Sequence, residues 1–158
     1  MARTHHYELD ITWTGDRGTG TSGYRDFDRA HEVTADGKPL ILASADPALR
    51  GDRERWNPEE FLVAALAQCH MLWFLHLCVA EKVIVTSYTD RPHGTMTETA
   101  DGGHFEEVVL RPRVTVATEE QAARTAALHE RAHQMCFIAN SVNFPVRQEP
   151  IVEVAPNA

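Results

Sequence analysis

The sequence is poor in positive charge. Lysine and arginine together number 15, against 23 aspartates and glutamates, which leaves a formal net charge of −8. Phosphate binding requires a basic surface, so this balance argues against nucleic acid as a partner. The acidic surplus is typical of a soluble protein that resists aggregation.

Long apolar runs are also lacking. The longest candidate, residues 71–80, contains His76 and falls well short of the ~20 residues that span a bilayer. Residues 1–6 are not followed by the apolar stretch that a signal peptide has. We therefore expect no membrane as a partner and a cytoplasmic location.

Cysteine is scarce, with Cys69, Cys78 and Cys136 as the only three. An odd number in a chain of this length argues against a disulfide-stapled secreted scaffold. In a reducing compartment an unpaired cysteine is most often a small buried hydrophobic residue. Cys78 fits this role, because on one helix it would rise ~13 Å beyond Cys69 and could not bond to it.

The length and the ordinary apolar fraction predict one domain over residues 1–158 with a real core. Local patterns predict three strands, a helix, three strands, a helix and a last strand, which is an α+β order and not a parallel βαβ one. The predicted strands are 7–14, 23–33, 39–43, 83–89, 94–99, 106–117 and 146–154. Asp36 and Gly37 predict a hairpin turn, and residues 44–56 a surface loop.

The first helix has a strong local start signal. Asn57 suits the N-cap, Pro58 the first helical position, and Glu59 and Glu60 the positive end of the helix dipole. The residues that follow are apolar on nearly all faces, which predicts a central, buried helix ending near residues 81–82. Thr118 and Gln121 predict a capping box for the second helix, which runs to about Cys136.

Two cysteines on helices at one core can do redox chemistry that a single buried thiol cannot. A thiolate is the reactive form, and Cys69 lies too far along its helix to be stabilised by the helix dipole, so a cation must come from elsewhere. Cys136 could condense with an oxidised Cys69 if their Cα atoms approach within ~7 Å. The competing interpretation is that both cysteines only fill the core.

Several histidines raise the alternative of a metal site. His129, His133 and Cys136 are spaced to share one helix face, which a zinc site could use. Against this, no paired CxxC motif is present, and His129 stands among Ala, Glu and Arg residues as on a solvated face. We therefore expect no metal, and we expect His70 and His76 to be packed or hydrogen-bonded.

The spacing of these motifs resembles that of a known family. Residues 57–60 followed by Cys69, and Cys136 followed by Asn140, resemble the two motifs of the OsmC/Ohr thiol peroxidases, and residues 71–76 look like the OsmC-like branch. Arg17, in the Gly-rich turn after the first strand, resembles the family's loop arginine. The resemblance covers nearly the whole chain. It implies an OsmC-like fold with antiparallel sheets around a central helix, in an intertwined homodimer.

The resemblance also implies roles for particular residues. Cys69 would be the peroxidatic thiol and Cys136 the resolving one, while Arg17 would activate the thiolate and Glu59 would orient that arginine. The implied substrate is an organic hydroperoxide and the implied reductant a dithiol, with no cofactor. The alternative is a non-enzymatic member of the same fold, kept as a stress-associated or small-molecule-binding protein with idle thiols.

Helix geometry adds an inference that does not depend on the resemblance. On one straight helix, Glu59 and Cys69 would be ~15 Å apart along the axis, too far to serve one site within a single chain. Either the helix breaks between them, or the site is shared between two subunits.

Overall fold

A computed structural model of the chain describes residues 2–156. Along the chain, three strands are followed by a helix, four strands, a second helix and two strands, with two single-turn 3-10 helices in the connections. The chain divides into two compact units whose boundary falls between Phe61 and Leu62.

The first unit contains one antiparallel sheet in the order β1–β2–β3. Its strands are β1 (Asp10–Trp13), β2 (His31–Thr34) and β3 (Ile41–Ala43). The predicted hairpin turn lies between β2 and β3, with Gly37 at φ 68°, a backbone conformation that glycine adopts readily. The strand predicted over 23–33 is wrong for most of its length, because residues 20–27 form turns and bends.

Helix α1 runs from Pro58 to Ala80 without a break. The side chain of Asn57 accepts a hydrogen bond from the backbone N–H of Glu60 at 2.8 Å, and the Glu60 carboxylate accepts one from the backbone N–H of Asn57 at 3.1 Å. This reciprocal pair is a capping box, and it explains why the helix begins where the sequence predicts. Of the two alternatives for Glu59 and Cys69, the broken helix is therefore excluded.

By length and composition alone, α1 is apolar enough to cross a membrane. The expectation that no segment reaches this length was wrong, because Gln68, His70 and His76 interrupt the apolar run but barely lower its average hydropathy. The core helices of soluble proteins meet the same criterion. One face of α1 is such a core face, with Leu66, Phe74 and Leu77 fully or nearly buried.

The second unit has two sheets, ordered β4–β7–β9 and β5–β6–β8. Each contains one antiparallel and one parallel pair, the parallel pairs being β7–β9 and β6–β8. The strands are β4 (Val85–Asp90), β5 (His93–Thr99), β6 (Gly102–Leu110), β7 (Pro112–Val116), β8 (Val146–Gln148) and β9 (Ile151–Val154).

Two of the predicted strands are in fact pairs of strands in different sheets. The run 106–117 divides at Arg111 into β6 and β7, and the run 146–154 divides into β8 and β9. Pro112 is the first residue of β7 and Pro150 directly precedes β9. A proline cannot donate to a continuous ladder, so each one marks the point where the chain changes sheets.

Helix α2 (Glu119–Met135) completes the second unit. Thr118 accepts a hydrogen bond from the backbone N–H of Gln121, as predicted, but the Gln121 side chain accepts one from Ile84 instead of closing the box. One core cluster joins α1, α2 and the β4–β7–β9 sheet through Phe74, Val114 and Leu128. A second joins α1 to β6 through Leu66 and Val108.

The burial of α1 is one-sided within this chain. Leu72 is 61% exposed and Val79 79% exposed, although Phe74 and Leu66 on the opposite side have no exposed surface. The expected central helix is therefore covered on one face, and its apolar outer face carries no partner among the described residues.

Candidate active site

The structure brings together the two cysteines that the sequence pairs. Cys69 lies half-buried on α1, and Cys136 lies buried at the C-terminal cap of α2. Both thiols are reduced, and the Cys69 side chain is within hydrogen-bonding reach of the Cys136 side chain. The two thiols are therefore neighbours, as disulfide formation between them requires.

Burial distinguishes the two thiols. It raises the pKa of Cys136 to about 11, and the neighbouring Cys69 contributes in the same direction, while the backbone N–H of Ala139, 3.4 Å from the sulfur, opposes the shift. Cys136 is thus a protonated thiol at neutral pH and is 1% exposed. Cys69 is the member of the pair that solvent can reach.

An apolar and aromatic surface follows Cys69 along α1. Leu72, Trp73 and His76 follow Cys69 at helical spacing and line a shallow cavity of about 230 Å³. The Trp73 ring meets the Phe137 ring edge to face at 5.4 Å, and Phe137 directly follows Cys136. The sequence analysis missed Trp73 and Leu72, although their i+3 and i+4 spacing from Cys69 could have identified them.

Cys78 lies apart from this pair. It is 2% exposed in the core cluster with Phe74 and Val114, and burial raises its pKa to about 11. This agrees with the expected structural role.

The histidine prediction was wrong at one position. His129 is 1% exposed, because α2 turns this residue toward α1 while its charged neighbours occupy the outer faces. Its Nδ1 lies 3.0 Å from Nε2 of His70, which is equally buried, so the expected hydrogen bonding of His70 is confirmed. In residues 2–156, no three His, Cys, Asp or Glu side chains are placed to hold a metal ion.

Arg17 lies in the loop after β1, in the first unit. Its guanidinium forms an ion pair with the Asp28 carboxylate and donates to the backbone carbonyl of Arg25 at 3.3 Å. The bond to Asp28 raises the pKa of Arg17, which is therefore a permanent cation. Arg29, another arginine of the same loop, has a different environment from Arg17. Its guanidinium stacks over the rings of Tyr24 and Phe27.

Glu59 lies in the first turn of α1. Its Oε2 atom is buried and has no hydrogen-bond partner in the described part of the chain, and the same holds for Nη1 of Arg55. A buried carboxylate oxygen without a partner is costly, because it has lost its water without gaining a donor. The roles of Arg17 and Glu59 stay predictions.

A family model described as OsmC-like protein matches residues 51–149. The chain belongs to the OsmC-like family. It is 34% identical to an OsmC-like protein of unknown function from Vibrio cholerae, with a TM-score of 0.84 over 94% of this chain and 100% of that one. The predicted OsmC-like fold is confirmed, and it has two helices and three small sheets. The expectation of antiparallel sheets holds fully only for β1–β2–β3, because β8 and β9 join the other two sheets as parallel strands.

More distant structures share the fold of this OsmC-like chain. An organic hydroperoxide resistance protein from Elizabethkingia anophelis is 20% identical, with a TM-score of 0.67 over 97% of this chain and 100% of that one. Another, from Legionella pneumophila, is 18% identical, with a TM-score of 0.62 over 95% and 99%. No curated protein matches the sequence.

Proposed function

We propose that this OsmC-like protein is a thiol-dependent peroxidase that reduces organic hydroperoxides. The observation that carries the proposal is the contact between the half-buried Cys69 thiol and the buried Cys136 thiol. Family membership supports a redox or peroxide-related role, and two of the structures with this fold are named for organic hydroperoxide resistance.

The first step uses the accessible thiol. The Cys69 thiolate attacks the distal oxygen of the hydroperoxide, the O–O bond breaks, and the alkoxide leaves and takes up a proton to become an alcohol. Cys69 is left as a sulfenic acid. Arg17 stabilises the thiolate and Glu59 orients that arginine, as the family resemblance implies.

The second step uses the buried thiol. Cys136 loses its proton and its sulfur attacks the Cys69 sulfur, which forms a disulfide and releases water. A dithiol donor then reduces the disulfide by exchange and becomes oxidised itself. A buried resolving thiol next to the sulfenic acid also limits further oxidation, because closure competes with a second peroxide molecule.

The aromatic surroundings favour an apolar substrate. Trp73 and Phe137 flank the thiol pair, so an alkyl or aryl hydroperoxide would lay its organic group against these rings while its O–O end meets Cys69. Hydrogen peroxide has no such group, and we expect it to be the poorer substrate.

We further propose that the active form is a homodimer in the cytoplasm. The apolar outer face of α1, with Leu72 and Val79 exposed, is suited to burial by a second copy. The unbroken helix between Glu59 and Cys69 favours a site that both subunits complete. A reducing compartment would keep the dithiol donor available.

The decisive experiment is turnover of a panel of hydroperoxides with several dithiol donors, followed through NAD(P)H consumption by the donor's reductase. Cumene and tert-butyl hydroperoxides should be reduced faster than hydrogen peroxide. Cys69→Ser should abolish turnover, and Cys78→Ser should serve as the folded control. If no peroxide is reduced with any donor, the non-enzymatic alternative is correct.

A further inference from the structure

The buried pair formed by His70 and His129 has no role in the chemistry proposed above. The two rings lie edge to edge and within 5° of parallel, with Nε2 of His70 3.0 Å from Nδ1 of His129. The Phe74 ring is stacked on the His129 ring, with the two centroids 3.9 Å apart. Within residues 2–156 this is the one buried side-chain hydrogen bond between residues of α1 and α2 themselves, and Arg124 of α2 also bonds Glu81 at the exposed end directly after α1.

Stability alone does not account for this pair. One ring must donate and the other accept, so either tautomer leaves an unpaired N–H on one ring and an unpaired lone pair on the other. These outer atoms, Nδ1 of His70 and Nε2 of His129, are indeed buried without partners. Apolar side chains of similar volume would fill the same space without that cost.

A buried polar pair that does not add stability is best known for selecting one register between packed helices. Here the register has a direct consequence. His70 directly follows Cys69 on α1, and Cys136 lies seven residues, or about two helical turns, beyond His129. A slide of α2 along α1 that broke the histidine bond would also separate the two thiols.

We infer that His70 and His129 are positioning residues that fix the register of α1 on α2 in which the thiols of Cys69 and Cys136 meet. This inference rests on the proposed use of that thiol pair. The histidines touch neither the peroxide nor the sulfurs in this role, and they act only through the helices that carry them.

The test measures how readily the two thiols close, without any peroxide. The reduced protein is equilibrated with oxidised and reduced glutathione, and the fraction that holds the Cys69–Cys136 disulfide gives the effective molarity of one thiol toward the other. The apolar variant H70L/H129F keeps an aromatic ring at position 129 to pack on Phe74, but it loses the hydrogen bond between positions 70 and 129. Its effective molarity should fall at least about tenfold, since a shift of ~1 Å costs on the order of 10²-fold in such proximity effects.

A conservative variant tests the bond itself. In H70Q/H129N the two amide groups replace the ring atoms Nε2 and Nδ1, so one hydrogen bond between the helices can re-form. This variant should close its disulfide within about threefold of the wild type. Cys78→Ala removes a sulfur atom from the core at a site apart from the two histidines and the two reactive thiols. It is the control for a general loss of stability and should leave the effective molarity unchanged.

Several outcomes would overturn the inference. A folded H70L/H129F that closes its disulfide as well as the wild type would do so, as would an H70Q/H129N that fails as badly as the apolar variant. A wild type with no measurable closure would also refute it. A wild type that closes the disulfide but reduces no hydroperoxide would refute the proposed function and leave the register role standing. If H70L/H129F does not fold, the comparison of H70Q/H129N with the wild type decides.

Discussion

The Trp73 ring packs edge to face against the Phe137 ring, with centroids 5.4 Å apart, and so joins α1 to the segment that follows α2. Each of these residues stands next to the thiol pair, Trp73 one helical turn after Cys69 and Phe137 directly after Cys136. The same contact therefore braces the two thiols and provides an apolar surface at their exposed side.

This surface predicts a selective effect on substrate binding. Trp73→Ala should raise the KM for cumene hydroperoxide about fivefold, the equivalent of roughly 1 kcal/mol for one lost aromatic contact, and leave the KM for hydrogen peroxide nearly unchanged. Steady-state kinetics with both substrates would measure this. Ile151→Ala, an exposed apolar residue on β9, is the control. An equal rise for both peroxides would mean that Trp73 does not contact the organic group.

The burial difference between the cysteines predicts two distinct products. The Cys136→Ser variant should still reduce one equivalent of peroxide and form the Cys69 sulfenic acid. Under excess peroxide its Cys69 should then be oxidised further to sulfinic acid, because no thiol intercepts the sulfenic acid. In the wild type, one equivalent should yield a Cys69–Cys136 disulfide within one chain. Mass spectrometry of tryptic peptides distinguishes these states. A bridge that contains Cys78 would contradict the assignment of Cys136.

The two loop arginines allow a matched comparison. Arg17 carries the ion pair with Asp28, whereas Arg25 contributes only its backbone carbonyl to that arrangement. Arg17→Ala should slow the reaction of Cys69 with peroxide by about 10²-fold, the scale for loss of one charge-stabilising group, and Arg25→Ala should do much less. Stopped-flow measurement of the first turnover would show this. The reverse order would show that Arg25, and not Arg17, activates Cys69.

Subunit sharing can be tested by complementation. Cys69→Ser and Glu59→Ala should each be inactive alone. If the two residues of one site come from different chains, a co-refolded mixture should regain about a quarter of wild-type activity, since half of the dimers are mixed and each has one intact site of two. An active monomer in sedimentation would exclude the shared site. A dimer without complementation would place both residues in one chain.

The histidine pair predicts acid sensitivity. Burial lowers the pKa of His70 to about 4 and that of His129 to about 3, from the usual 6.5. Below pH ~6.5 the unfolded chain therefore binds more protons than the folded one. The free energy of unfolding is not reduced by these histidines above that pH, and it falls as the pH drops toward 4. The melting temperature should decline over this window, and less so in H70L/H129F. An equal decline in both proteins would point to other groups.

Several features could be predicted from the sequence because they depend on neighbouring residues. The start of α1 is one, since Asn57 and Glu60 cap each other across a single turn. The turn at Gly37 is another, and the spacing of Cys69 and Cys136 in their motifs was enough to identify the family. The divisions at Pro112 and Pro150 carried a local signal that was overlooked.

Other features depend on contacts between distant parts of the chain. That Cys69 meets Cys136, and that His129 turns inward to His70, follows from the rotation and register of α2 against α1. Helical periodicity fixes which residues share a face, but not which face a neighbouring element covers. The charged neighbours of His129 suggested a solvated face for this reason, and only the packing of the two helices around Phe74 decided that the histidine is buried.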